Sequence, residues 1–237
     1  MKYLVAVVLL MVSLSNVQSE EFTLNTEDGF ALAATLLTPA DIGPNPAVIL
    51  IHQGGSNRSE WSFFHEQILS EGYVLLSYDI RGMGASPKEA STGKTVANIY
   101  NAPDQATLDL EAAITLLETR EDVDSDRIAI VGASVGGNLA VVGAGTMNIK
   151  TAVAISGKTD AVLNLAGDKN MPLHSTYYIS SMESDGARTG WAREMYDMTE
   201  GRRKISIIDD SLRHGVSIFK DAPELKDKII QWLRETL

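Results

Sequence analysis

The sequence predicts an α/β fold, a mostly parallel twisted sheet with helices on both faces, and three observations carry that expectation. Strand-like and helix-like stretches alternate after an initial hairpin, which is the order that parallel pairing through helical crossovers requires. The strand-like stretches 47–51 (Ala-Val-Ile-Leu-Ile) and 73–78 (Tyr-Val-Leu-Leu-Ser-Tyr) are nearly continuous apolar runs, as a strand covered on both faces should be. Finally, Gly132-Ala133-Ser134-Val135-Gly136 stands between an apolar strand and a helix of small residues, a junction that parallel sheets favour.

The elements follow in order. Residues 22–24 and 30–37 flank a Glu27-Asp28-Gly29 turn and read as a hairpin; the proline-bounded stretch 39–46 interrupts strand hydrogen bonding. After the strand at 47–51, Ser59 is the expected N-cap of a helix that places Trp61, Phe64 and Ile68 on one face, with Gly72 near its end. The strand at 73–78 follows. Across 104–119, Ala106, Leu110, Ala113, Ile114 and Leu117 recur at helical spacing, and Asp109, Glu111 and Glu118 are expected to face elsewhere. Further strands are expected at 127–131, 151–155, 176–180 and 204–208. A last helix beginning near Pro223 would bury Leu225, Ile229, Trp232 and Leu233.

Composition narrows the class. A chain of 237 residues with 44% hydrophobic content can bury one sizeable core, and a single domain over 20–237 is expected. Residues 1–19 place Lys2 before an apolar run from Tyr3 to Val12 and a polar end at Val17-Gln18-Ser19, the layout of a cleaved signal peptide. That run is shorter than the roughly 20 residues a spanning helix needs. The mature chain is therefore expected to be secreted or periplasmic, without stable membrane insertion. With no cysteine, neither a disulfide framework nor a lipid-modified cysteine is available. The net charge of −11, more negative by one once Lys2 is removed, argues against nucleic acid and anionic membrane as partners. No metal-ligand spacing is present, so no metal or other cofactor is expected, and the oligomeric state is left open.

The chemistry centres on Ser134. A tight strand-to-helix turn needs glycine at 132 and 136, leaves the Ser134 hydroxyl exposed, and points the helix N-terminus at any developing negative charge. A serine hydroxyl is a poor nucleophile at neutral pH, so it needs a base, and the base needs an orienting acid. Of the four histidines, His52 ends a buried strand and His65 lies within the first helix, both as structural residues; His174 stands beside a strand as a candidate pocket residue. His214 lies between the last strand and the last helix, at the sheet edge that presents Ser134, and is the candidate base. For the acid, Asp185 follows the strand 176–180 at the best position; Glu183, Asp160 and Asp209 or Asp210 are the alternatives. The oxyanion donors are expected at the Val135 backbone and in the His52-Gln53-Gly54-Gly55 loop, at Gly54 with Gln53 next.

Together these motifs resemble the α/β-hydrolase superfamily over nearly all of the mature chain. The loop His52-Gln53-Gly54-Gly55 resembles its oxyanion loop, and Tyr78-Asp79-Ile80-Arg81-Gly82-Met83-Gly84-Ala85-Ser86 resembles its Asp-x-Arg-Gly-x-Gly-x-Ser segment. The elbow and the order Ser134, Asp185, His214 complete the set. Within the superfamily the chain is similar to dienelactone-hydrolase-like proteins and small serine carboxylesterases. Dienelactone hydrolases proper carry cysteine where this chain has Ser134, which points towards ester hydrolysis, and Gln53 replaces the usual glycine after the loop histidine. Asp79 and Arg81 are expected to form an internal ion pair.

The resemblance implies cleavage of a small ester-like substrate through an acyl-enzyme. Peptide or amide cleavage, acyl transfer, a non-catalytic binding protein on this fold and a cell-envelope interaction module are the alternatives. Only residues 156–172 are available where relatives insert a lid, so no lid domain is expected. Leu163, Leu165 and Met171 would form one apolar wall of an open pocket, and Val216 or Phe219 the other.

Overall fold

The computed structural model describes residues 17–237, apart from 41–42, 97–98, 101–104 and the side chains at 184–185. Residues 1–16, most of the expected leader, lie outside the described residues. Gln18 and Ser19, placed at the end of that leader by the sequence, begin the first strand, opposite Thr38 and Leu37.

The strands are β1 (Gln18–Asn25), β2 (Ala31–Thr38), β3 (Asn45–Ile51), β4 (Val74–Tyr78), β5 (Val123–Ala133), β6 (Thr151–Ile155), β7 (Leu173–Ser181) and β8 (Thr199–Ile208). Among the described residues they form one sheet in the order β1-β2-β4-β3-β5-β6-β7-β8. The β1–β2 and β2–β4 pairs are antiparallel and the rest parallel. The opening hairpin closes through Thr26, whose N–H donates to Phe30 O at 2.9 Å, and Gly29 takes the left-handed φ of 90° that the turn requires. The chain leaves β3 to pair on one side with β4 and returns to its other side as β5, and ligands of open parallel sheets bind outside such a reversal point.

The helices are α1 (Ser62–Leu69), α2 (Ala106–Glu118), α3 (Val135–Thr146), α4 (Thr159–Leu165), α5 (Ala187–Met198) and α6 (Leu225–Thr236). The apolar run of β3 feeds two cores, because successive side chains point to opposite faces. Ile49 and Ile51 pack with Leu110, Leu139 and Tyr78 on one face, Val48 and Leu50 with Trp61, Phe64, Ile229 and Trp232 on the other. A fully buried aliphatic side chain contributes about 1.5–3 kcal/mol, so two such layers stabilise a chain that has no disulfide. Among the described residues no helix is long and apolar enough to cross a membrane.

Several local expectations are corrected. Ser59 is not a helix cap: the chain enters through a 3-10 turn, Arg58–Trp61, capped by the Asn57 side chain, which accepts from Ser59 N at 3.0 Å. Asp109, expected to face away from the sheet, is fully buried against Arg81, also fully buried, at 2.7 Å. The Asp79–Arg81 pair does not form. Arg81 instead binds Asp109 and Asp28 and lies 4.2 Å from the centre of the Phe30 ring. Asp79 instead holds Arg58 Nη1 at 2.6 Å and the Ala85 N–H at 2.7 Å. Both residues tie down the loop after β4, as expected, but through partners far away in the chain. Helix α5 lies in a stretch the sequence reading left without a helix.

Candidate active site

Strand register assembles the site before any side chain is considered. Ile51 at the end of β3 lies opposite Gly132 in β5, and Ala133 lies opposite Ile155 in β6. The loop after β3, the turn carrying Ser134 and the end of β6 are thus neighbours along one edge. Ser181 and Ile208 end β7 and β8 side by side at the same edge, which brings Glu183 and the loop holding His214 together.

Ser134 has φ 54° and ψ −113°, outside the ordinary range for an L-residue, and such strain costs about 1–3 kcal/mol. The neighbouring glycines explain how the turn closes. A Cβ at Gly132 would overlap the Gly136 carbonyl, and one at Gly136 would overlap the Ile51 carbonyl and meet His52 O at 2.9 Å. The turn is held by Ser134 N–H donating to Ile155 O at 2.8 Å. Val135 is the first residue of α3, so its N–H is one of those a helix leaves without an intrahelical acceptor.

On the β3 side, His52 is fully buried. Its Nδ1–H donates to Gln53 O at 2.7 Å and its Nε2 accepts from Ile80 N–H at 3.0 Å, which fixes the neutral tautomer. Burial holds this imidazole below its ordinary pKa. The Gln53 N–H donates to Glu60 Oε2 at 2.9 Å, so this expected second-choice oxyanion donor is already engaged. Burial raises the Glu60 pKa. Gly54 N–H has no acceptor among the described residues. A Cβ there would lie 2.8 Å from the Tyr100 hydroxyl oxygen, so glycine lets this aromatic residue close over the loop.

His214 Nδ1 lies 2.6 Å from Glu183 Oε2. The expected acid was Asp185, whose side chain lies outside the described residues; the carboxylate that meets the imidazole is Glu183. Ser181 brings the two together, for its Oγ donates to Arg213 O at 2.6 Å and accepts from Glu183 N–H at 3.3 Å. Arg188 Nε stands 3.7 Å from the same Glu183 oxygen that faces His214. The His214 loop also touches the strand that ends at Ser134. A Cβ at Gly215 would overlap Gln53 Oε1 and meet the Ala133 methyl at 3.6 Å.

The expected pocket wall from the β6–β7 connection does not form as predicted. His174 is the second residue of β7, paired with Glu200 at the opposite end from Ser181; seven residue steps along the strand separate them, roughly 23 Å. Met171 is buried, and its sulfur would lie 3.0 Å from a Cβ at Gly145, at the far end of α3 from the elbow. Leu165 is a core residue at 1% exposure, and Leu163 is half-buried on α4. Val216 and Phe219, expected on the other wall, do lie beside a cavity. Phe219 packs with Phe63 at a ring distance of 5.1 Å, and with Val216 and Glu60 they line a cavity of about 440 Å³ beside the His214 loop. Among the described residues no cluster of His, Cys, Asp and Glu is arranged to hold a metal ion.

Sequence reasoning passed over Ser156, Ser181 and Arg188, whose hydrogen bonds reach partners about 30 or more residues along the chain, and Glu60, which bonds Gln53 only seven residues away but carries no local mark of that contact. Glu183 was weighed, but no local signal ranked it above Asp185.

Residues 32–186, a span that contains the β3 loop, the elbow and Glu183, match the dienelactone hydrolase family. The 2,6-dihydropseudooxynicotine hydrolase of Paenarthrobacter nicotinovorans is 30% identical over 114 residues, 48% of this chain and 28% of that protein. The quorum-quenching protein AidA of Acinetobacter baumannii is 28% identical over 122 residues, 51% of this chain and 38% of that protein. The match thus covers well under half of either relative's own length. An esterase of Pyrococcus furiosus superposes with a TM-score of 0.72 at 21% identity, covering 93% of each chain, a likeness of fold. A strained elbow between β5 and α3, an eight-stranded sheet of this order and a family match over more than half of the sequence lead to one statement: the chain has the α/β-hydrolase fold and belongs to the dienelactone hydrolase family.

Proposed function

We propose that this protein is a serine hydrolase that cleaves small carboxylic esters through an acyl-enzyme, with Ser134 as nucleophile, His214 as base and Glu183 in the role first given to Asp185. The observation that carries this reading is the 2.6 Å contact between His214 Nδ1 and Glu183 Oε2 at the sheet edge that holds the strained Ser134. With Nδ1–H donating to the carboxylate, Nε2 is left with its lone pair for the serine proton. In the first half-reaction Ser134 Oγ bonds to the acyl carbon while its proton passes to Nε2. The Val135 and Gly54 amides hold the oxyanion, and the imidazolium returns the proton to the leaving alkoxide. Water then repeats these steps on the acyl-enzyme and releases the acid.

The cavity lined by Phe63, Val216 and Phe219 suits an apolar part of such a substrate. A single cation, an apolar run and a polar end at 1–19 support a secreted or periplasmic location after cleavage. A fluorophosphonate probe tests the nucleophile: folded protein should be labelled and Ser134→Ala should not. Labelling that persists in Ser134→Ala, or none in the folded parent, would overturn the assignment. p-Nitrophenyl esters of graded chain length, set beside peptide anilides, separate ester cleavage from amide cleavage.

A further inference from the structure

Three described non-glycine residues have left-handed φ values, and two of them, Ser134 at 54° and Ser156 at 55°, are neighbours across the ends of β5 and β6. Ser134 strain belongs to the elbow. Ser156 needs its own explanation, since a strained residue persists only where its surroundings hold it. It is 1% exposed, and every polar group it offers is engaged. Its N–H donates to Ile179 O at 2.9 Å, its Oγ accepts from Gly215 N–H at 3.0 Å, and its carbonyl accepts from Arg188 Nη1 at 3.0 Å. The residue before it supplies the carbonyl that receives Ser134 N–H.

These contacts reach three parts of the site at once. Gly215 directly follows His214 and has a left-handed φ of 57° itself, so the bond from Gly215 N–H sets where the base loop turns. Arg188, held by the Ser156 carbonyl and lying over the Trp191 ring at 5.2 Å, is thereby kept 3.7 Å from Glu183 Oε2. An ordinary right-handed or extended conformation at Ser156 would redirect both the hydroxyl and the carbonyl.

From this arrangement we infer that Ser156 is a positioning residue: its hydroxyl fixes the His214 loop against the elbow, and its carbonyl holds Arg188 beside Glu183. The inference rests on the proposed roles of Ser134, His214 and Glu183. The backbone conformation and the hydroxyl can be separated by mutation, because glycine accepts a left-handed φ without strain but offers no side-chain acceptor.

Ser156→Gly is compared with the parent on p-nitrophenyl acetate, with thermal unfolding and amide hydrogen exchange at Gly215 measured on the same samples. We expect kcat to fall about tenfold, the order of one lost buried hydrogen bond, with KM within about twofold. Tm should hold or rise, and Gly215 N–H should exchange faster. Ser156→Asn, whose side chain tolerates the left-handed region and offers an oxygen, should recover part of kcat. Unchanged kcat, or a loss of kcat that only follows a loss of Tm while Gly215 exchange stays as in the parent, would overturn the inference. If Ser156→Gly does not fold, Ser156→Ala, which keeps the Cβ and lacks the oxygen, is read by the same criteria. Ser134→Ala run in parallel separates the two failures: activity surviving there defeats the nucleophile assignment, whereas activity lost there but intact in Ser156→Gly defeats only the role of Ser156.

Discussion

Glu183 Oε2 and His214 Nδ1 stand 2.6 Å apart, joined across the ends of β7 and β8 by the Ser181 hydroxyl, which bonds both chain segments. Neither side chain is deeply buried: Glu183 is 23% and His214 29% exposed. The pair is therefore open to the surface while its geometry is set by buried backbone around it.

If Glu183 orients the base, Glu183→Gln should lower kcat by about 10³–10⁴-fold, the scale seen when the acid of such a triad loses its charge. Asp185→Asn should stay within about threefold of the parent. Steady-state kinetics on p-nitrophenyl acetate checks both, and the reverse ranking would restore Asp185 to the role.

Glu60 accepts the Gln53 N–H and so steadies the loop that presents Gly54. Glu60→Ala should lower kcat about tenfold, the worth of one hydrogen bond to a charged acceptor, and Glu60→Gln, which keeps an acceptor oxygen, should recover most of it. Equal losses in both variants would show that the charge, rather than the acceptor, matters.

Asp109 and Arg81 form a fully buried ion pair. Asp109→Ala leaves the guanidinium with only Asp28, at 14% exposure, as a charged partner and should destabilise the fold by about 3–5 kcal/mol. Urea unfolding measures this. A loss below about 1 kcal/mol would mean that the loop after β4 relaxes to let Arg81 reach water.

The share of stability that rests on neutral His52 and His65 should fall as the pH drops below about 6.5, while Glu60 and Asp109, whose carboxyl pKa values burial raises, work in the opposite direction. Burial depresses the pKa of both His52 and His65 in the folded chain. The unfolded chain takes up protons there first, so the contribution of the neutral imidazoles is complete above that pH and declines below it, towards the depressed folded values. The slope per histidine cannot exceed about 1.4 kcal/mol per pH unit. Thermal unfolding across this range checks the direction, and His52→Gln should remove part of the slope. A slope left unchanged by His52→Gln would mean that the fold admits the second proton on that ring.

What could be read from the chain is local. The apolar run of β3, the helical spacing of α2 and the glycines around Ser134 each state their conformation within a few residues, because periodicity and close backbone approach leave marks in residue type. The same local reading misplaced His174 and Met171. Both lie near a strand start in the sequence, but nothing in the spacing says which end of β7 faces the site. Asp109 was read as a surface residue because a lone acid on an amphipathic helix usually is one; Arg81, 28 positions away, reverses that.

The sequence by itself determined that this chain is a parallel α/β protein with a serine at a strained strand-to-helix turn and a histidine after the last strand. Only the tertiary structure decided which carboxylate meets that histidine, and that Ser156, Ser181 and Arg188 surround the pair. Glu183 and Asp185 sit two residues apart in one short turn, and their composition and spacing suit either role. The choice depends on how the ends of β7 and β8 align and on hydrogen bonds between segments about 30 residues apart in the chain, which leave no trace in any single stretch of sequence.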